Sequence, residues 1–171
     1  MDRYIALLRG VNVGGVNIKM AELADLFRSL GLAEVKTVLA SGNVVFNAEG
    51  PTTELRERIE AALRERFGYE AWVHVLTADE LAAVVSAYPF EARDGWHRYV
   101  LFLMGAEPRE DLLAAPIDRG LEQIAPGERV IYWTVERGHT LDSAFGKRSN
   151  AGKNKVLTTN RNLNTLQKLL S

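Results

Sequence analysis

The chain has no cysteine and only three histidines in its 171 residues. Without cysteine there can be no disulfide or thiolate chemistry, and a cytoplasmic location is the default expectation. His74, His97 and His139 are too far apart in sequence to form a close metal-ligand pair, so no metal site and no cofactor are expected. Long apolar runs are also missing. The stretch Tyr99 to Met104 is six residues long, against the roughly 20 a bilayer-spanning helix needs. No membrane association is expected, and Arg9 cuts the first apolar run before it reaches the length of a secretory signal core. Acidic residues are absent from Ser143 to the C-terminus, where six basic ones occur: Lys147, Arg148, Lys153, Lys155, Arg161 and Lys168. The preceding part holds 15 basic against 22 acidic residues, a net −7 hidden by the overall −1. A basic tail on an acidic body points to an anionic partner or to docking of one half on the other.

With 47% hydrophobic residues the chain can bury a substantial core. An apolar strand, Tyr4 to Leu8, leads into Arg9-Gly10-Val11-Asn12-Val13-Gly14-Gly15 and then into a helix from Met20, whose Leu23, Leu26, Phe27 and Leu30 share one face. Two extended runs, Val35 to Ala40 and Val44 to Asn47, flank a Ser41-Gly42-Asn43 turn. A second helix is expected from Thr52, as its cap, to Gly68, followed by a strand from Ala71 to Leu76. This βαββαβ order predicts a ferredoxin-like unit over residues 1–77. Thr77-Ala78-Asp79-Glu80 reads as a capping box that opens a connecting helix and linker over 78–97. Residues 98–171 read as a second, degenerate ferredoxin-like unit. It has strands at Tyr99 to Met104 and Val130 to Val135, a short run from His139 to Phe145, and a closing helix with Leu163, Leu166, Leu169 and Leu170. The fold class is therefore α+β, with two α/β plaits. Both leading strands are apolar at every position, so both faces of each sheet should be covered.

In the βαββαβ order the loop after the first strand and the turn after the second lie at one end of the sheet. That end would gather Arg9, Gly10, Asn12, Gly14, Gly15, Asn17, Lys19, Ser41 and Asn43. These are donors and flexible backbone suited to a small anionic or phosphorylated ligand, a nucleotide among them. The glycine spacing matches neither the P-loop nor the dinucleotide fingerprint, which removes those two classes. The structural alternative is an irregular loop whose asparagines satisfy its own backbone, with Lys19 in solvent. Ser41 lacks the nucleophile-elbow pattern and is explained by turn chemistry. At the other end of the chain Arg161 and Asn162 precede the last helix. There Asn162 can cap, and Arg161 can complete the anion site or tie down the tail.

Several blocks resemble the bacterial domain-of-unknown-function family 1697: Leu8-Arg9-Gly10-Val11-Asn12-Val13-Gly14-Gly15, Met20-Ala21-Glu22-Leu23, Ser41-Gly42-Asn43-Val44-Val45-Phe46 and Thr159-Asn160-Arg161-Asn162-Leu163-Asn164-Thr165. Leu163 stands where a tryptophan is expected, which leaves that position a core role. The resemblance implies two ferredoxin-like halves and brings no activity, substrate or catalytic residue.

Two other classes of function compete with ligand binding. The basic C-terminal segment could bind nucleic acid, with strong salt dependence. Stacking of bases on the sheet, as in an RRM, is poorly served by Tyr4 and Phe46 alone. The third class is a structural or oligomerising module whose apolar sheet faces pair. Whether any reaction is catalysed, and the oligomeric state, are not legible in these residues.

Overall fold

A computed structural model of the chain describes residues 1–9, 17–39, 42–104, 107–151, 154 and 157–171. Its contacts divide into two compact units, Met1–Ala82 with Lys168–Ser171, and Ala83–Gln167.

The first unit contains β1 (Asp2–Leu8), α1 (Met20–Ser29), β2 (Ala33–Val38), β3 (Asn43–Ala48), α2 (Thr52–Phe67) and β4 (Val73–Thr77). Its four strands lie in the order β2-β3-β1-β4, every neighbouring pair antiparallel. β1 is central, and Tyr4 to Leu8 are buried without interruption, as a strand covered on both faces requires. Tyr4, Ala6 and Leu8 alternate onto the face that carries Leu23 and Phe27 of α1 and Leu55, Ile59 and Leu63 of α2. Phe46 meets Phe27 edge-on, with ring centroids 5.6 Å apart, and stacks on Tyr4 at 5.8 Å. Ile5, Leu7, Val45 and Leu76 are buried as well.

Helix ends follow local chemistry, with one correction. Thr52 is not the cap of α2: Pro51 holds that position in extended geometry, no side chain caps the helix, and Leu55 N–H donates to the Pro51 carbonyl at 3.2 Å. Proline's restricted φ suits this approach, so threonine becomes the first helical residue. Gly68 ends α2 in the left-handed region, with φ +66°, and its N–H donates to Arg64 O at 3.0 Å. The expected capping box opens α3 (Ala78–Ser86): Glu80 N–H donates to Thr77 Oγ1 at 3.1 Å, and Thr77 N–H donates to Glu80 Oε1 at 3.2 Å. The boundary between the two units falls within α3.

The second unit contains β5 (Trp96–Leu103), α4 (Glu107–Ala114), β6 (Glu122–Pro126), β7 (Val130–Glu136), α5 (Ala144–Ser149), β8 (Thr158–Asn162) and most of α6 (Leu163–Leu170). The strand order is β6-β7-β5-β8, again antiparallel throughout. Leu101, Leu103, Leu112, Ile131, Trp133, Val135 and Phe145 form its core. Tyr88 O–H donates to Trp133 O and Tyr132 O–H to Val84 O, both at 2.7 Å, fastening the end of α3 and the turn after it to β7.

One expectation fails here, and one strand was not expected, each for an identifiable reason. Residues His139 to Phe145 form no strand; they make a turn that ends in α5. Ser143 Oγ accepts from Gly146 N–H at 3.1 Å, Asp118 Oδ2 from Ala144 N–H at 2.8 Å, and Glu122 Oε2 from Phe145 N–H at 2.9 Å. Three acceptors on the first N–H groups stabilise a helix start that no local apolar period announces. The residues before the closing helix form β8, whose polar Thr-Thr-Asn-Arg-Asn sequence reads poorly as a strand and is held by its ladder to β5.

Candidate functional site

Three chain segments meet at the C-terminal end of β1. Leu7 pairs with Asn43, Leu8 N–H donates to the Gly42 carbonyl at 2.8 Å, and Arg9 N–H donates to the Trp72 carbonyl at 3.1 Å. The first strand, the β2–β3 turn and the start of β4 are thereby fixed together. Arg9 is half-buried, and burial lowers the pKa of its guanidinium. The group still carries its charge at neutral pH while its hydration is reduced, the condition under which an anion is bound strongly.

The other expected residues have distinct positions. Asn43 is fully buried, and its Nδ2 donates to the Val38 carbonyl at 2.9 Å, so this donor closes the β2–β3 turn. Gly42 supplies the positive φ that the turn needs, +85°, while Leu39 adopts +59° with its side chain half-exposed. Lys19 is exposed and occupies the cap position of α1, where its side chain makes no capping hydrogen bond; Leu23 N–H donates to its carbonyl at 3.0 Å. Asn17 is exposed beside it. Gly10, Asn12, Gly14, Gly15 and Ser41 lie outside the described residues.

Arg161 and Asn162 belong to the second unit. Arg161 is in β8, opposite Val100, and is 8% exposed. Its Nη1 donates to Thr159 Oγ1 at 2.7 Å and to Asn160 O at 3.0 Å, and burial pulls its pKa down to about 10. Asn162 does cap the last helix, its Oδ1 accepting from Asn164 N–H at 2.8 Å. Lys147, Arg148 and Lys168 are exposed, and Lys153 and Lys155 lie outside the described residues. Tyr4 and Phe46 are core residues and offer no face for a base to stack on.

Trp72, which meets the β1 end, and Tyr69, just past α2, had no sequence signal. Trp72 contributes its carbonyl to Arg9, and Arg64 stands 5.8 Å from its ring. Tyr69, just past the end of α2, packs its ring on the core, yet its hydroxyl is buried with no hydrogen-bond partner among the described residues. Among the described residues no three His, Cys, Asp or Glu side chains come together as a metal site, and no helix is long and apolar enough to cross a membrane.

The geometry defines a mixed α+β protein with two four-stranded antiparallel sheets and six helices among the described residues. The chain belongs to the family described as Protein of unknown function (DUF1697), whose model matches residues 1–132. It is also similar to the conserved bacterial protein SP0830 from Streptococcus pneumoniae. The two share 24% identity over 98% of this chain and 96% of that one, with a TM-score of 0.84. At that identity the likeness bears on the fold alone. No curated protein matches the chain.

Proposed function

We propose that this protein is built from two ferredoxin-like plaits, the second a diverged copy of the first, and that the first binds a small anionic or phosphorylated ligand at the β1–α1 connection. Support for the duplication is the same strand order in both sheets, with the third strand of each unit, β3 or β7, paired to its leading strand, β1 or β5. The observation that carries the ligand reading is Arg9: a partly desolvated cation whose backbone is pinned at the end of the central strand. Lys19 adds a second cation at the start of a helix whose first N–H groups have no side-chain cap. Asn43 holds the turn in this reading, and Arg161 and Asn162 organise the second unit instead of touching the ligand.

The test is thermal unfolding of the full chain against phosphorylated metabolites, nucleotides, other organic anions and short oligonucleotides, at low and moderate salt. A ligand at 100 times its Kd adds roughly 2.7 kcal/mol to the native state. The expected result is a shift by one small anion that persists at moderate salt and is lost in Arg9→Ala without loss of fold. Unchanged affinity in Arg9→Ala refutes the assignment. Shifts by oligonucleotides alone, abolished by salt and by neutralising Lys147 and Arg148, would move the function to the basic tail.

A further inference from the structure

Ala71 and Val73 both pack into the helix-side core of the first unit, and so does Leu8 of β1. Side chains alternate along extended chain, so Trp72, between the first two, and Arg9, next after Leu8, project from the opposite face of the sheet. Leu8 pairs with Val73, and the Arg9 N–H donates to the Trp72 carbonyl at 3.1 Å, which sets Arg9 and Trp72 directly across from each other. Side chains so placed begin about 5 Å apart at their Cβ atoms. Both residues are half-buried and keep contact with solvent.

The indole has a fixed cationic neighbour. Arg64 Nη2 donates to the Ala71 carbonyl at 3.0 Å, and its guanidinium carbon lies 5.8 Å from the centre of the Trp72 ring. The end of β1 thus pairs a broad aromatic surface with a guanidinium whose backbone is pinned. A bare phosphate uses the charge and leaves the ring idle, whereas a planar heteroaromatic ring that carries a phosphate uses both.

We infer that the ligand of the β1 end is a mononucleotide, its phosphate held by Arg9 and its base stacked on Trp72. This rests on the ligand reading above and narrows it. Base and phosphate are separated by one sugar, a gap that two long side chains rising from facing backbone positions can span. Stacking asks only for a π-face, so the arrangement separates nucleotides from sugar phosphates more than one base from another.

The experiment titrates AMP, UMP, ribose 5-phosphate and inorganic phosphate into the full chain and into Arg9→Gln, Trp72→Ala, Trp72→Phe and Trp96→Phe, followed by calorimetry and tryptophan fluorescence. Both nucleotides should bind at least about 5-fold more tightly than ribose 5-phosphate and quench the fluorescence. Trp72→Ala should weaken nucleotide binding about 5- to 100-fold while leaving ribose 5-phosphate unaffected. Trp72→Phe should keep most of the affinity and lose the quenching, Trp96→Phe should keep both, and Arg9→Gln should weaken every probe. If Trp72→Ala does not fold, the fluorescence of Trp72→Phe decides. Equal affinity for nucleotides and ribose 5-phosphate, nucleotide affinity unchanged in Trp72→Ala, equal weakening of both probe types by it, or quenching that persists in Trp72→Phe overturns the stacking role and leaves the anion site standing. If none of the four probes binds the natural protein, the nucleotide assignment is overturned; failure of the wider anion panel as well removes the site itself.

Discussion

Glu122 accepts three hydrogen bonds at the heart of the second unit, and truncating it should be strongly damaging. It is fully buried. Its Oε1 accepts from Trp133 Nε1–H at 3.1 Å, and its Oε2 accepts from the backbone N–H groups of Asp118 and Phe145, each at 2.9 Å. Glu122→Ala leaves these three donors without an acceptor. Each unsatisfied buried donor costs about 1–3 kcal/mol. Water entering the vacated space would recover part of this, so the expected loss is about 3–5 kcal/mol. Glu122→Gln retains one acceptor oxygen and turns an amide toward the remaining donors, for a loss of about 1–3 kcal/mol. Glu122→Met nearly restores the volume without any acceptor, and should be about as damaging as alanine. The assay is urea unfolding followed by tryptophan fluorescence, since Trp133 is itself one of the donors, with the midpoint and slope compared across the three variants. If Met recovers most of what Ala loses, the cost is a cavity and not missing acceptors. A loss below about 1 kcal/mol in Glu122→Ala would refute the network altogether.

Gly146→Ala should destabilise the second unit by about 1–3 kcal/mol or more despite alanine's better helix propensity. A Cβ there would lie 2.1 Å from the Thr140 carbonyl oxygen, a backbone atom that cannot swing aside; chemical unfolding that shows no loss would mean the Thr140 turn can move. Stability should also fall as pH rises above 10. Burial raises the pKa of Tyr69 to about 12 and raises those of Tyr88 and Tyr132, so above pH 10 the unfolded chain sheds protons that the folded one keeps. Arg161, lowered to about 10, opposes this, because the unfolded chain there holds the proton longer. Tyr4 is raised by burial as well and Arg9 is lowered by it, so four tyrosines stand against two arginines and leave a net decline, checked by urea midpoints from pH 8 to 11; phenolate absorbance rising as a single step near pH 10 in the folded protein would contradict it.

Much of the first unit was legible because its local signals and its long-range packing agree. The fully apolar Tyr4 to Leu8, the helical spacing of Leu23 and Phe27, Gly68 as a stop and the reciprocal pair Thr77 and Glu80 each have a short-range physical cause. The meeting of the end of β1 with the β2–β3 turn, through Leu8 and Gly42, followed from strand order. Legibility ended where structure depends on distant partners. β8 is polar and exists through its ladder with β5, and the start of α5 depends on Asp118 and Glu122, more than twenty residues away. The same limit applied to side-chain roles. Asn43 and Arg161 have the composition of ligand donors, yet one closes a turn and the other is bonded within β8. Trp72 reaches the β1 end only through the fold.

The two units also differ in how they treat positive charge near a helix start. At α5 the protein supplies its own anion: Asp118 and the buried Glu122 occupy the first N–H groups, and the basic residues Lys147 and Arg148 sit in the last turn, where the dipole favours them. At α1 the arrangement is reversed, with Lys19 at the cap position and the half-buried Arg9 at the end of the preceding strand. Glu22 stands exposed in the first turn of the same helix. A lysine at a helix N-terminus is electrostatically unfavourable by itself, by a few tenths of a kcal/mol. The same residue becomes favourable once an external anion occupies the end of β1. On the proposed reading, the first unit should therefore gain stability from a small bound anion at Lys19, a residue that costs it stability alone. For the same reason, Lys19→Glu should stabilise the anion-free protein slightly while weakening its response to a small anionic ligand.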